Sequence, residues 1–146
     1  MTRGACTSAS PPDGVVHERG GAGRLARLYC LARMGLGASV LAAPSGARVW
    51  LGDDVDRPVV QWLSRSLGIR DLVIGLGGYR ALRRGEDAGP WLRAAAATDA
   101  MDAAAAALVV KRLPKPGGAL MVGAAAAGAA VGFALAGRGG RSPAAR

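Results

Sequence analysis

Six charged residues lie inside stretches that are otherwise apolar enough for lipid: Arg33, Arg65, Arg70, Asp71, Asp99 and Asp102. Guanidinium and carboxylate groups in such surroundings can lock helices together as ion pairs. They can also mark the path of a proton, an ion or a ligand. The clearest segment is Leu67-Gly68-Ile69-Arg70-Asp71-Leu72-Val73-Ile74-Gly75-Leu76, with a charge pair at its centre. The six are formally neutral as a set. Unpaired, each would cost roughly 2.5–3.5 kcal/mol at the centre of a membrane helix, against roughly 0.3–0.6 returned by each Leu, Ile or Val. They are therefore expected to face one another or a wet cavity, with Arg65, near a helix end, able to snorkel outward.

Spacing sharpens this expectation. Ser64, Gly68, Asp71, Gly75 and Gly78 recur at helical intervals and form one face of small residues around Asp71, against which another helix can pack closely. Arg70 points about 100° away from Asp71, so the two are expected to serve different neighbours. Asp99 and Asp102 are three apart and share a face with Ala95 and Ala106. Their repulsion would lead one of them to hold a proton, as a relay requires and as a buried structural pair would also show. Arg33, on a face with Cys30 and Gly37, is expected to pair with the carboxylates, as is Arg70. The seam is thus Arg33, Arg70, Asp71, Asp99 and Asp102, and both roles, structural lock or transport path, stay open.

Other chemistry finds little support. Cys6 and Cys30 have neither metal-ligand nor disulfide-framework spacing, and the single histidine, His17, lies in the N-terminal tail. No nucleophile–base constellation is visible, so neither an enzyme nor a bound metal or cofactor is expected. Gly75-Leu76-Gly77-Gly78 lacks the lysine, strand and following helix start of a phosphate-binding loop. Gly128 and Gly132 form a GxxxG in a charge-free segment, a helix-packing face together with Gly68 and Gly75.

The elements that would position the seam follow from hydropathy and helix punctuation. Residues 1–23 are rich in Gly, Ser, Pro and Thr and read as a disordered tail without the apolar core of a signal peptide. Four spans are expected over about residues 25–43, 58–82, 91–110 and 117–137, within a domain of residues 24–137, followed by a basic tail over 138–146. Pro44 and Gly46 end the first helix, Pro58 suits the first turn of the second, and Trp62 and Tyr79 lie where an interfacial aromatic belt would place them. The first connection holds Val49-Trp50-Leu51 and the acidic cluster Asp53, Asp54 and Asp56. About 20 residues are needed to cross the hydrocarbon, and the fourth segment supplies them without a charge.

Composition agrees. The chain has 146 residues, 23 of them Gly, and aromatics are only 4%, so the large side chains that hold a water-soluble core together are scarce. Small residues suit close packing in lipid. The net charge of +9 comes from 17 Arg and 2 Lys that fall mostly between apolar stretches, with no basic run or interleaved aromatics for nucleic acid. If all four segments span, nine basic residues lie on the side of the termini and five on the other, which places both termini in the cytoplasm.

Arg33 with Gly35, Ala43-Pro44, Leu51-Gly52, Leu67-Gly68-Ile69-Arg70-Asp71-Leu72 with Gly75, and an Asp on the third helix together resemble a domain-of-unknown-function family of small bacterial membrane proteins with four helices. The resemblance covers about residues 24–137 and implies a four-helix membrane fold, with no activity and no catalytic residue. The expected class is all-α, a four-helix transmembrane bundle in the bacterial inner membrane. Its expected partners are the lipid bilayer and a second copy or another membrane protein, with a structural or interaction role. The alternatives are a small proton- or solute-translocating permease working as an oligomer, and a tail-anchored protein in which the fourth helix inserts alone beside a soluble partner-binding domain.

Overall fold

Four long helices dominate the computed structural model, which describes residues 13–48, 52–113 and 115–139. They are α1 (Asp13–Ala42), α2 (Pro58–Arg84), α3 (Gly89–Val109) and α4 (Gly117–Gly139), and no strand occurs among the described residues. Short 3-10 turns at Pro44–Ala47 and Gly52–Asp56 connect α1 to α2, and another at Val110–Arg112 follows α3. The all-α expectation holds. The one large difference is at the start of α1, which begins at Asp13 rather than near Leu25, so residues 13–23 of the expected tail are helical. The segment Val49-Trp50-Leu51, the first twelve residues and residues 140–146 lie outside the described residues.

The helix ends follow local chemistry. Pro58 opens α2, where its missing N–H is not needed and its fixed φ is already helical. Gly85 closes α2 at φ 72°, a left-handed conformation that glycine adopts without strain. Pro90 occupies the first turn of α3, and the 3-10 turn beginning at Pro44 follows α1 directly.

Small residues decide how the helices pack. α1 and α2 run antiparallel in close contact: a Cβ on Gly37 would lie 2.5 Å from the Gly68 carbonyl oxygen, and one on Gly75 would lie 2.8 Å from the Cys30 carbonyl oxygen. The buried face of α2 is Ser64, Gly68, Asp71, Gly75, Gly78 and Ala81, the face its spacing predicts. α3 and α4 form the second close antiparallel pair, with Gly132 against Ala96 and Gly128 against Asp99. The GxxxG of α4 is therefore occupied by α3 of the same chain. The two pairs meet more loosely along α2/α3 and α1/α4, while α1 and α3 face each other diagonally across the interior.

Three layers stack along the bundle. At the end nearer the chain termini, Ala26, Cys30, Ala81, Ala88, Leu92, Leu135 and Ala136 form an apolar plug. The middle layer is charged. Beyond it, toward the 3-10 turns, lies a cleft. Beside this apolar packing, charges lie inside while large apolar side chains lie outside: Arg33 is 7% exposed and Asp71 9%, whereas Trp62 is 65%, Met101 71% and Leu108 88% exposed.

Candidate functional site

The middle layer is built around Arg33, which α1 delivers to the centre of the bundle. Its guanidinium forks across the diagonal. Nη2 donates to Asp71 Oδ1 of α2 at 2.6 Å, and Nη1 donates to Asp99 Oδ2 of α3 at 2.6 Å. The planar fork lets one side chain serve two carboxylates from two helices, which a lysine cannot do with the same geometry.

Arg70 makes the second junction. It leaves α2 toward α3, where Nη1 and Nη2 donate to Asp102 Oδ1 and Oδ2 at 3.1 and 2.6 Å in a bidentate pair. Its Nη2 also lies 3.4 Å from Asp71 Oδ1, so Asp71 connects the two arginines. Their main partners differ, Asp102 for Arg70 and Arg33 for Asp71, as their directions on the helix predict, but the 3.4 Å contact joins them to each other as well, which the sequence reading did not expect. Asp99 and Asp102, expected to repel each other, are each engaged by a separate guanidinium, which offsets that repulsion.

Arg65 behaves as its place near a helix end led one to expect, and one residue joins the seam that the sequence did not single out. Arg65 stays outside it: its side chain is exposed and lies 3.5 Å from Gln61 Oε1, one turn back on α2. Its direction on the helix explains this, since it is one residue past Ser64 and so about 100° off the buried face. Tyr29 joins the seam. Its hydroxyl accepts from Arg33 Nη1 at 3.1 Å and lies 3.3 Å from Asp99 Oδ2 and 3.2 Å from the Gly128 carbonyl oxygen, so its single proton is shared between those acceptors. Tyr29 thereby ties α1 to both α3 and α4. The available sequence signal is its position one turn before Arg33 on the same face. Gly128 makes room for this junction, because a Cβ there would lie 2.5 Å from Asp99 Oδ2.

The seam opens on a cleft of about 240 Å³ between the two helix pairs. Arg70, Asp71, Asp102 and Ser64 contribute its polar surface; Leu36, Val40, Leu67 and Met121 are among its apolar walls. The volume is large compared with the ≈ 30 Å³ share of one water. The Nε atoms of Arg33 and Arg70 are buried and make no hydrogen bond to the described residues. Among the described residues, no three His, Cys, Asp or Glu side chains are grouped to hold a metal ion.

No family model, curated protein or solved structure matches this chain. The acidic cluster of the first connection is a separate, exposed feature: Arg48 pairs with Asp56 at 2.6 Å and reaches Asp53 at 3.8 Å, and Arg57 lies 3.6 Å from Asp54. Such exposed pairs contribute little, typically about 0–1 kcal/mol.

Two helical stretches, Gly21–Ala42 and Gly117–Arg138, are long and apolar enough to cross a membrane. α2 and α3 have sufficient length, at 27 and 21 residues, but carry the charges of the seam.

Proposed function

We propose that this chain is a small integral membrane protein with four spans, whose Arg/Asp seam holds two helix pairs together and whose role is structural or interactive. The observation that carries this reading is the pairing of charges inside the bundle with large apolar side chains, among them Leu28, Trp62, Met101, Leu108, Val131 and Phe133, on its outside. In water that exterior would leave large apolar area exposed on every helix, contrary to the usual limit on exposed patches. In lipid the same exterior needs no other cover, and the interior charges are paired as lipid demands. α1 and α4 support the reading by length and composition. α2 and α3 would cross with their charges turned inward. The resemblance of the Gly-Ile-Arg-Asp-Leu segment to four-helix bacterial membrane proteins points the same way, as does the excess of basic residues on the side of the termini, which favours an inner membrane with both termini cytoplasmic.

Alkaline carbonate washing of membranes from expressing cells tests the reading. The full chain is expected to stay in the membrane pellet, and release into the wash would contradict it. Insertion of α4 alone is disfavoured, because α4 forms one wall of the bundle and its Gly128 carbonyl takes part in the Tyr29 junction.

The cleft beside the seam favours a second reading, a small permease with Arg70, Asp71 and Asp102 on its path. Reconstituted vesicles distinguish the two. A permease shows flux that falls at least tenfold in Asp102→Asn, whereas flux indistinguishable from empty vesicles leaves the structural role.

A further inference from the structure

Asp71, Asp99 and Gly128 stand midway along α2, α3 and α4, so the charged layer lies at the mid-depth of the bundle. Four arginines point away from it. Arg24 lies nine residues before Arg33 on α1, and Arg80 nine residues after Asp71 on α2. Nine residues are two and a half turns, so each faces about 180° away from the seam. Arg27 and Arg83 lie three residues further along their helices, and all four side chains are exposed. α1 and α2 are antiparallel, with Gly37 against Gly68 and Cys30 against Gly75. That register, continued along the pair, sets Arg27 level with Arg80 and Arg24 level with Arg83. The outer face of the α1–α2 pair thus gathers four guanidinium groups. At 1.5 Å per residue they stand about 9–18 Å from the charged layer, astride the roughly 15 Å half-thickness of a bilayer's hydrocarbon.

The chain gives these four no partner among the carboxylates described at this end. Glu86 lies 3.9 Å from Arg84, and Asp87 accepts from the Gly89 N–H at 2.8 Å. The first connection differs, since its Arg48 and Arg57 are matched by Asp53, Asp54 and Asp56. Toward mid-depth the same two faces turn apolar. Leu31 lies one turn past Arg27, Val73 lies two turns before Arg80, and both are exposed. Guanidinium forks pair with phosphate oxygens in bidentate fashion. Basic side chains at headgroup depth attract anionic lipid, and the apolar face beneath them accepts its chains.

We propose that the outer face of the α1–α2 pair binds an anionic phospholipid, its phosphate held by Arg24, Arg27, Arg80 and Arg83 and its acyl chains along Leu31 and Val73. This rests on the membrane reading above and adds to it a lipid of one charge class at one face.

The test uses the full chain purified in a neutral detergent. Dioleoylphosphatidylglycerol, dioleoylphosphatidylcholine or sodium phosphate is titrated while thermal unfolding is followed. Only phosphatidylglycerol is expected to raise Tm saturably, since a ligand that binds only the folded state stabilises it with concentration. Arg24→Gln, Arg27→Gln, Arg80→Gln and Arg83→Gln together are expected to weaken that response roughly tenfold or more. The lipid-free Tm of this variant is expected to stay near the parent's, because the four side chains are exposed and outside the seam. Arg65→Gln, Lys111→Gln, Arg112→Gln and Lys115→Gln together remove the same charge from the opposite end and are expected to leave the response unchanged. The proposal is overturned if phosphatidylglycerol stabilises no more than phosphatidylcholine, or if phosphate alone gives the same shift. It is equally overturned if the first variant responds like the parent, or if the second loses as much as the first. Should the first variant fail to fold, the pair Arg80→Gln and Arg83→Gln alone is expected to show part of the loss, and a response equal to the parent's overturns the proposal. A chain that stays in the membrane pellet through carbonate washing yet shows no preference for phosphatidylglycerol would remove this proposal and leave the membrane reading standing.

Discussion

Arg33 connects three helices through one planar group, and its removal strands two carboxylates at once. Breaking a buried ion pair by deleting one partner costs about 3–5 kcal/mol, chiefly because the other charge is left uncompensated. Arg33→Met is therefore expected to lose stability of that order, read by thermal unfolding in detergent. Adding Asp71→Asn and Asp99→Asn to Arg33→Met is expected to restore most of the loss; no recovery would mean that the guanidinium contacts themselves, rather than the stranded charge, hold the bundle. Arg33→Lys is expected to recover only part, because one ammonium cannot reproduce the fork to Asp71 and Asp99. Much of this junction is legible in the sequence: opposite charges inside apolar segments must find each other, and Arg33, Arg70, Asp71, Asp99 and Asp102 do. Which carboxylate meets which arginine is not legible, since it depends on α1 and α3 lying on a diagonal that the Arg33 and Tyr29 side chains bridge. Tyr29 is hidden for the same reason, because its partners Asp99 and Gly128 come from two distant segments.

At the scale of the helix, glycine has two different meanings two residues apart on α1. Gly37 is pressed against α2: an added Cβ would meet the Gly68 carbonyl oxygen at 2.5 Å and the Leu72 nitrogen at 2.9 Å. Both atoms belong to backbone and cannot step aside. Gly37→Ala is expected to part α1 from α2 at a loss of about 1–3 kcal/mol. Gly35 has nothing within 4 Å of its would-be Cβ, so Gly35→Ala is expected to gain about 0.5–1 kcal/mol from helix propensity alone. Equal effects of the two substitutions, measured as the change in unfolding free energy, would show that α1 and α2 do not meet as described. The small-residue face of α2 was legible because Ser64, Gly68, Asp71, Gly75 and Gly78 keep helical spacing. The start of α1 at Asp13 was not, because the residues before Leu25 carry no apolar period and a helix there has no sequence signature beyond its continuity with the segment that follows.

At the scale of the whole molecule, two tight helix pairs are joined by a charged layer, closed by an apolar plug at one end and open to a cleft toward the other. The apolar exterior, with Leu28, Trp62, Ile69, Met101, Leu108 and Phe133 all exposed, is what a lipid environment would accept and water would not. The number of helices followed from hydropathy and proline punctuation; the cleft did not, because it arises where the two pairs diverge beside the seam, a property of their packing rather than of any one segment. Whether α2 crosses the bilayer with its charges turned inward decides between a four-span bundle and one with fewer spans, and paired cysteine labelling on intact cells tests it. With the native cysteines replaced, Asp54→Cys in the first connection and Glu86→Cys between α2 and α3 are compared for reaction with a membrane-impermeant maleimide. Labelling is expected at position 54 from outside and at position 86 only after the cells are opened; labelling of both positions from the same side would mean that α2 does not cross.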